Sequence, residues 1–148
     1  MMRELELSRM RWDGIHHGFY ENYFIKLVDV SQKFGFWIRY TLISPVEGSG
    51  NPDGTVWAIF FDTDNPEQNI AIKRSYPAKS LESGRGDVVF QLGHNLLTLE
   101  GCRGEVNKDA DVISWNLIFD RPGLSLNTGP IRNAGKTGMG AVAEPITA

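Results

Sequence analysis

The chain is poor in most of the features that announce a function. It has one cysteine, Cys102, in 148 residues. No internal disulfide can form, which suits a reducing compartment. No apolar run is longer than a strand, so no membrane-spanning helix fits. The opening MMRELELSRMRWDG is charged throughout and has no apolar core of the kind a secretory signal needs. These features together lead to the expectation of a cytoplasmic protein. The formal net charge is only −3 and no basic stripe stands out, so nucleic acid is not expected as a partner. Sustained helical periodicity is missing as well.

Motifs of known chemistry are equally scarce. No G-x-S-x-G nucleophile elbow occurs. GPIRNAGKT (129–137) resembles a phosphate-binding loop, but five residues rather than four separate its first glycine from Gly-Lys-Thr. Such a loop aims consecutive N–H groups at phosphate, so the spacing cannot slip. His16 and His17 are adjacent, and on an extended segment they point to opposite sides, a poor arrangement for one metal ion. Cys102 has no accompanying nucleophile signature and reads as a small residue packed in or near a turn. No metal or other cofactor is expected.

What remains is β-strand. Aromatic residues cluster before residue 77. FYENYFIKLVD (19–29) and FWIRYTLIS (36–44) flank a short connector and read as a hairpin. PVEGSGNPDG (45–54) is a loop by its Gly, Pro, Asn and Asp content. TVWAIFFD (55–62), IAIKRSY (70–76), DVVFQLG (87–93), NLLTLEG (95–101) and VISWNLIF (112–119) continue the series. The pattern predicts an all-β fold, an antiparallel meander closing into a barrel or sandwich. Residues 1–17 read as an arm and 18–120 as the β domain. Residues 121–148, rich in Gly and Pro and nearly free of aromatics, read as a poorly ordered tail.

One strand raises a question. FGFWIRYTLISP (34–45) is apolar on both faces, yet Arg39 sits in its middle. Phe36, Ile38, Tyr40 and Leu42 share one face, while Trp37, Arg39 and Thr41 share the other. TVWAIFFD is two-sided in the same way. Both strands therefore ask for cover on each side, from a second domain or a second copy. An unpartnered buried cation is costly, so Arg39 should pair, reach water or line a polar cavity. The reading favoured here is a structural ion pair with Glu21.

The ordered series DGIHHGFYENYFIKLVD, GFWIRYTLISP, VWAIFFD and ISWNLIF resembles the tocopherol cyclase and carotenoid hydratase (hydroxyneurosporene synthase) superfamily, specifically its N-terminal lipocalin-like domain. The resemblance covers residues 12–120. It implies a lipocalin-like barrel, or the open half of a two-barrel protein whose second barrel lies outside this sequence. It also implies cofactor-free action on apolar isoprenoid-type ligands, by protonation followed by hydration or cyclisation. Membrane-surface contact is a further possibility. Protonating an alkene calls for a carboxylic acid in an apolar pocket and aromatic faces for the resulting cation. Glu21 and Asp62 are the candidate acids. Tyr23, Trp37, Arg39, Tyr40 and Trp57 are the candidate ligand contacts. The alternative is a non-catalytic lipocalin-like binding module for a hydrophobic small molecule.

Overall fold

The computed structural model describes residues 9–83 and 85–119. The tail expected at 121–148, with GPIRNAGKT inside it, and the first eight residues lie outside the described residues. The described chain is all-β, with only two short 3₁₀ turns between strands. β1 (Phe19–Asp29), β2 (Phe34–Ser44), β3 (Asp53–Asp62) and β4 (Ile70–Pro77) form one antiparallel sheet in chain order. β5 (Leu81–Glu82), β6 (Val88–Leu92), β7 (Asn95–Thr98), β8 (Gly101–Lys108) and β9 (Asp111–Ile118) form a second. The expected meander is present, but broken into two. β4 ends at Pro77, a 3₁₀ turn at Ala78–Ser80 follows, and the chain enters the second sheet at Leu81. Ladder pairing stays within each sheet, so no closed barrel is formed among the described residues. Gly101–Lys108, which shows no strand alternation in the sequence, is a full strand paired on both sides.

Register decides which residues meet in the core. Tyr23 pairs with Tyr40 and Tyr40 with Val56. The next row is Ile25, Ile38, Ala58 and Ile72, followed by Leu27, Phe36, Phe60 and Ile70. These side chains face Val89, Phe90, Leu92, Leu97, Leu99, Cys102, Val106 and Trp115 of the second sheet. Each large apolar side chain buried there contributes about 1.5–3 kcal/mol, so this interface is what holds the two sheets together.

Tight turns are organised by carboxylates. Asp29 Oδ1 accepts from Ser31 N at 2.9 Å, Ser31 Oγ at 2.6 Å and Gln32 N at 3.0 Å. Asp13 Oδ1 accepts from Ile15 N and His16 N. Asp62 does the same for the turn after β3. Donors aimed at the charged form hold all three carboxyls below their ordinary range. A lowered folded-state pKa gives stability that is present above the unfolded value and lost as pH falls through the folded one. The urea midpoint should therefore hold between about pH 7 and 5 and fall below about pH 4. Asp29→Asn should make that acid-side fall shallower. Equal slopes for wild type and variant would contradict this role.

Candidate ligand cleft

At the end of the sheets nearest the β1–β2 turn, the core does not close. Leu27, Phe34, Phe36, Phe60 and Ile70 of the first sheet face Ile113, Trp115 and Leu117 of β9 across a cleft of about 570 Å³. That volume falls within the usual range for small-molecule sites. Its walls are mainly apolar, with Ser114 and Asn116 of β9 among the lining residues, and Phe34 stacks on Phe60 with ring centroids 5.7 Å apart. Trp115 forms the inner end, packed against Phe36 at 6.0 Å. Gly104 lies beneath the indole, where a side chain would collide with it. A larger depression of about 730 Å³ lies beside the arm, between Trp12, Pro52, Ala78 and Leu81, with a mixed polar lining.

The candidate acids do not meet. Glu21 lies on the inner face at the far end of β1, opposite Leu42. Asp62 pairs with Phe34 at the cleft end. Along β2 eight residues separate these partners, roughly 26 Å of extended strand. Glu21 is buried, and its oxygens are already taken. They accept from Arg11 N at 3.0 Å, Trp12 N at 3.4 Å and Tyr23 Oη at 2.7 Å. Glu21 thus pins the arm to β1. Burial pushes the Tyr23 hydroxyl up, and the adjacent Glu21 carboxylate pushes it further. Asp62 caps its turn through Asp64 N and Asn65 N, with its carboxyl held below the ordinary range, the reverse of what a proton donor needs.

The expected ion pair between Arg39 and Glu21 is not formed, because the two side chains leave opposite faces of the sheet. Arg39 pairs in register with Phe24 and Trp57 on the outer face. Its Nε donates to Asn22 Oδ1 at 2.7 Å and its Nη2 donates to Tyr20 Oη. Asn22 Oδ1 also accepts from Thr41 Oγ1 at 3.0 Å. Neutral oxygens therefore hold the half-buried guanidinium. The candidate ligand contacts divide in the same way. Tyr23 and Tyr40 are buried in the core, each against Phe90. Trp37 and Trp57 share the outer face with Arg39.

Tyr40 reaches across the core to Trp115 and Cys102. Neither Tyr40 Oη nor Trp115 Nε1 has a hydrogen-bond partner among the described residues. Burial raises the Tyr40 hydroxyl and pushes the Cys102 thiol up to about 12. Cys102 is buried on β8, just past the turn at 99–100, as a small residue packed near a turn, and burial there disfavours its thiolate.

No family model, curated protein or solved structure matches this chain.

Its own geometry is thus the ground for a functional reading. None of the seven candidate site residues lines the apolar cleft. The row that does, Leu27–Phe36–Phe60–Ile70, joins residues 43 positions apart in the chain, from Leu27 to Ile70, and becomes visible only with the register. Alternation along each strand places these residues on the inner face. It does not show that the second sheet stands off from them at this end.

Proposed function

We propose that this chain is a binding module for an apolar small molecule held between its two sheets. The open, mainly apolar cleft between Phe34, Phe60, Ile70, Ile113 and Trp115 carries this reading. A site so lined gains affinity from removing apolar surface from water, at roughly 25 cal/mol per Å², and favours long or ring-bearing hydrocarbons. Isoprenoid chains fit that description. Titrating the chain with farnesol while following tryptophan fluorescence should give saturable binding with one site per chain. Ile70→Trp, which fills the cleft from its half-buried edge, should weaken binding by at least about tenfold, or 1.4 kcal/mol. Trp37→Ala, on the far face of the same sheet, should leave it unchanged. Non-saturable binding, or equal loss in both variants, would overturn the cleft as the site.

A second reading keeps the resemblance to the carotenoid hydratase and tocopherol cyclase superfamily, with this chain as the N-terminal half of a cofactor-free hydratase or cyclase. The observation in its favour is the group of Phe24, Trp37, Trp57 and Ile59 on the outer face of the first sheet, side chains that a second barrel could cover. Against it stand the occupied oxygens of Glu21 and the ionised, turn-capping Asp62. Hydration of an acyclic carotenoid, detected by mass spectrometry and lost in Glu21→Gln at unchanged stability, would restore it.

A further inference from the structure

An antiparallel sheet with one face in the core normally turns a polar face to water. The first sheet does so only in part: Asn22, Thr41, Thr55 and Ser75 form one polar row, but the rows towards the β1–β2 turn are mixed. Its outer face can be read row by row across the strands. One row is Lys26, Trp37, Ile59 and Ala71, and the next is Phe24, Arg39, Trp57 and Lys73. Beside the first of these lies a row of Val28, Gly35 and Phe61, in which Val28 is 51% and Phe61 42% exposed. The rows of Lys26 and Arg39 hold three cations, three aromatic rings and no carboxylate. The nearest acidic side chain on this face, Asp53, stands two rows beyond Arg39, in the row of Tyr20 and Ile43. The chain as a whole is net −3, so these cations form a local positive surface on an otherwise acidic molecule.

Charge selects among the possible occupants. A second copy packed face to face would set cations against cations. A single-stranded nucleic acid needs open ring faces for stacking. Here Lys73 Nζ already lies 5.5 Å over the Trp57 ring, and Trp37 is packed edge to face with Phe24 at 88°. An anionic bilayer needs neither. It accepts a flat surface of aromatic and aliphatic groups at headgroup depth, with Lys side chains reaching to lipid phosphates and carboxylates. Lys26 and Lys73 are exposed and carried on flexible stems, while Arg39 is held by Asn22 and Tyr20.

We infer that the outer face of the β1–β4 sheet docks on an anionic lipid membrane. Val28 and Phe61 lie next in sequence to Leu27 and Phe60 of the cleft wall, on the opposite face of the same sheet. The docking itself does not depend on what the cleft binds.

The test is co-sedimentation of the full chain with phosphatidylcholine vesicles, with and without about 30% phosphatidylserine. Each cation at the surface should raise partitioning roughly fivefold, so the serine-containing vesicles should bind about 100-fold more strongly at low salt. About 1 M salt should remove most of that difference. Lys26→Gln with Lys73→Gln should cost roughly 25-fold on the anionic vesicles and nothing on the neutral ones. Arg103→Gln with Lys108→Gln, on the second sheet, should change neither. Equal partitioning into both vesicle types, or an undiminished double Lys26/Lys73 variant, would overturn the inference. So would Lys26- and Lys73-dependent binding of an oligothymidylate with no binding to anionic vesicles, which would make the face a nucleic-acid surface.

Discussion

Glu21→Ala should destabilise the chain by about 3 kcal/mol and lower its melting temperature by roughly 10 °C. The carboxylate is buried on the inner face and serves three donors at once. Truncation leaves the Tyr23 hydroxyl without its acceptor in the core, at about 1–3 kcal/mol. It also leaves the Arg11 and Trp12 amides, which lie nearer the surface and recover part of their loss from water. The arm from residue 9 to 17 should loosen, because its other ties are weaker or more exposed. They include Gly18 N to Pro45 O and Ser44 Oγ to His16 O, at 3.0 and 2.7 Å. Glu21→Gln keeps one acceptor oxygen for Tyr23 but turns an amide towards the backbone N–H groups, so it should lose about half as much. Thermal denaturation gives the energies, and amide exchange at Arg11 and Trp12 reports the arm directly. A Glu21→Ala loss below about 1 kcal/mol would mean that Glu21 does not anchor the arm.

Gly104→Ala should cost about 3 kcal/mol and weaken ligand binding in the cleft. A β-carbon at Gly104 would lie 2.3 Å from Asn95 Oδ1 and 2.5 Å from Trp115 Cζ2. Neither neighbour can move freely. Asn95 is fully buried, accepts from Glu105 N and donates to Leu92 O and Tyr76 Oη. Trp115 is packed against Phe36 and ends the cleft. The methyl group must therefore break the Asn95 network or push the indole into the binding space. Denaturant unfolding and farnesol titration separate the two. Stability lost with affinity kept means that Asn95 gave way, and both lost means that Trp115 did. A variant as stable as the wild type would show the Gly104 contact to be slack.

Much of the secondary structure was legible because side-chain alternation is a local property. β1 is FYENYFIKLVD at both ends, and the β1–β2 hairpin follows from two aromatic runs around a short polar connector. The alternation of VISWNLIF puts Ile113, Trp115 and Leu117 on one face, and all three belong to the core or its margin. Its limit shows in Gly101–Lys108. Two glycines, a cysteine and an arginine carry no strand pattern, yet neighbours on both sides supply the ladder. Arg39 shows a second limit. Alternation placed it on the Trp37/Thr41 face, but the face of Glu21 relative to it depends on the β1–β2 register, which pairs Phe24 rather than Glu21 with Arg39.

The sequence alone determined that this is an all-β chain of short antiparallel strands, that Arg39 shares a face with Trp37 and Thr41, and that two strands are apolar on both sides. Those facts depend on neighbours one or two residues away. Tertiary structure decided everything that depends on register and on the packing of one sheet against the other. It divided the candidate ligand residues between two faces and set Glu21 and Asp62 at opposite ends of a sheet. It left a cleft where Leu27, Phe36, Phe60 and Ile70 meet β9, and gathered Lys26, Arg39 and Lys73 into one patch that no basic stripe announces. Cross-strand neighbours are 4.5–5.5 Å apart in space however far apart they lie in the chain, so sites built from them are absent from the linear pattern.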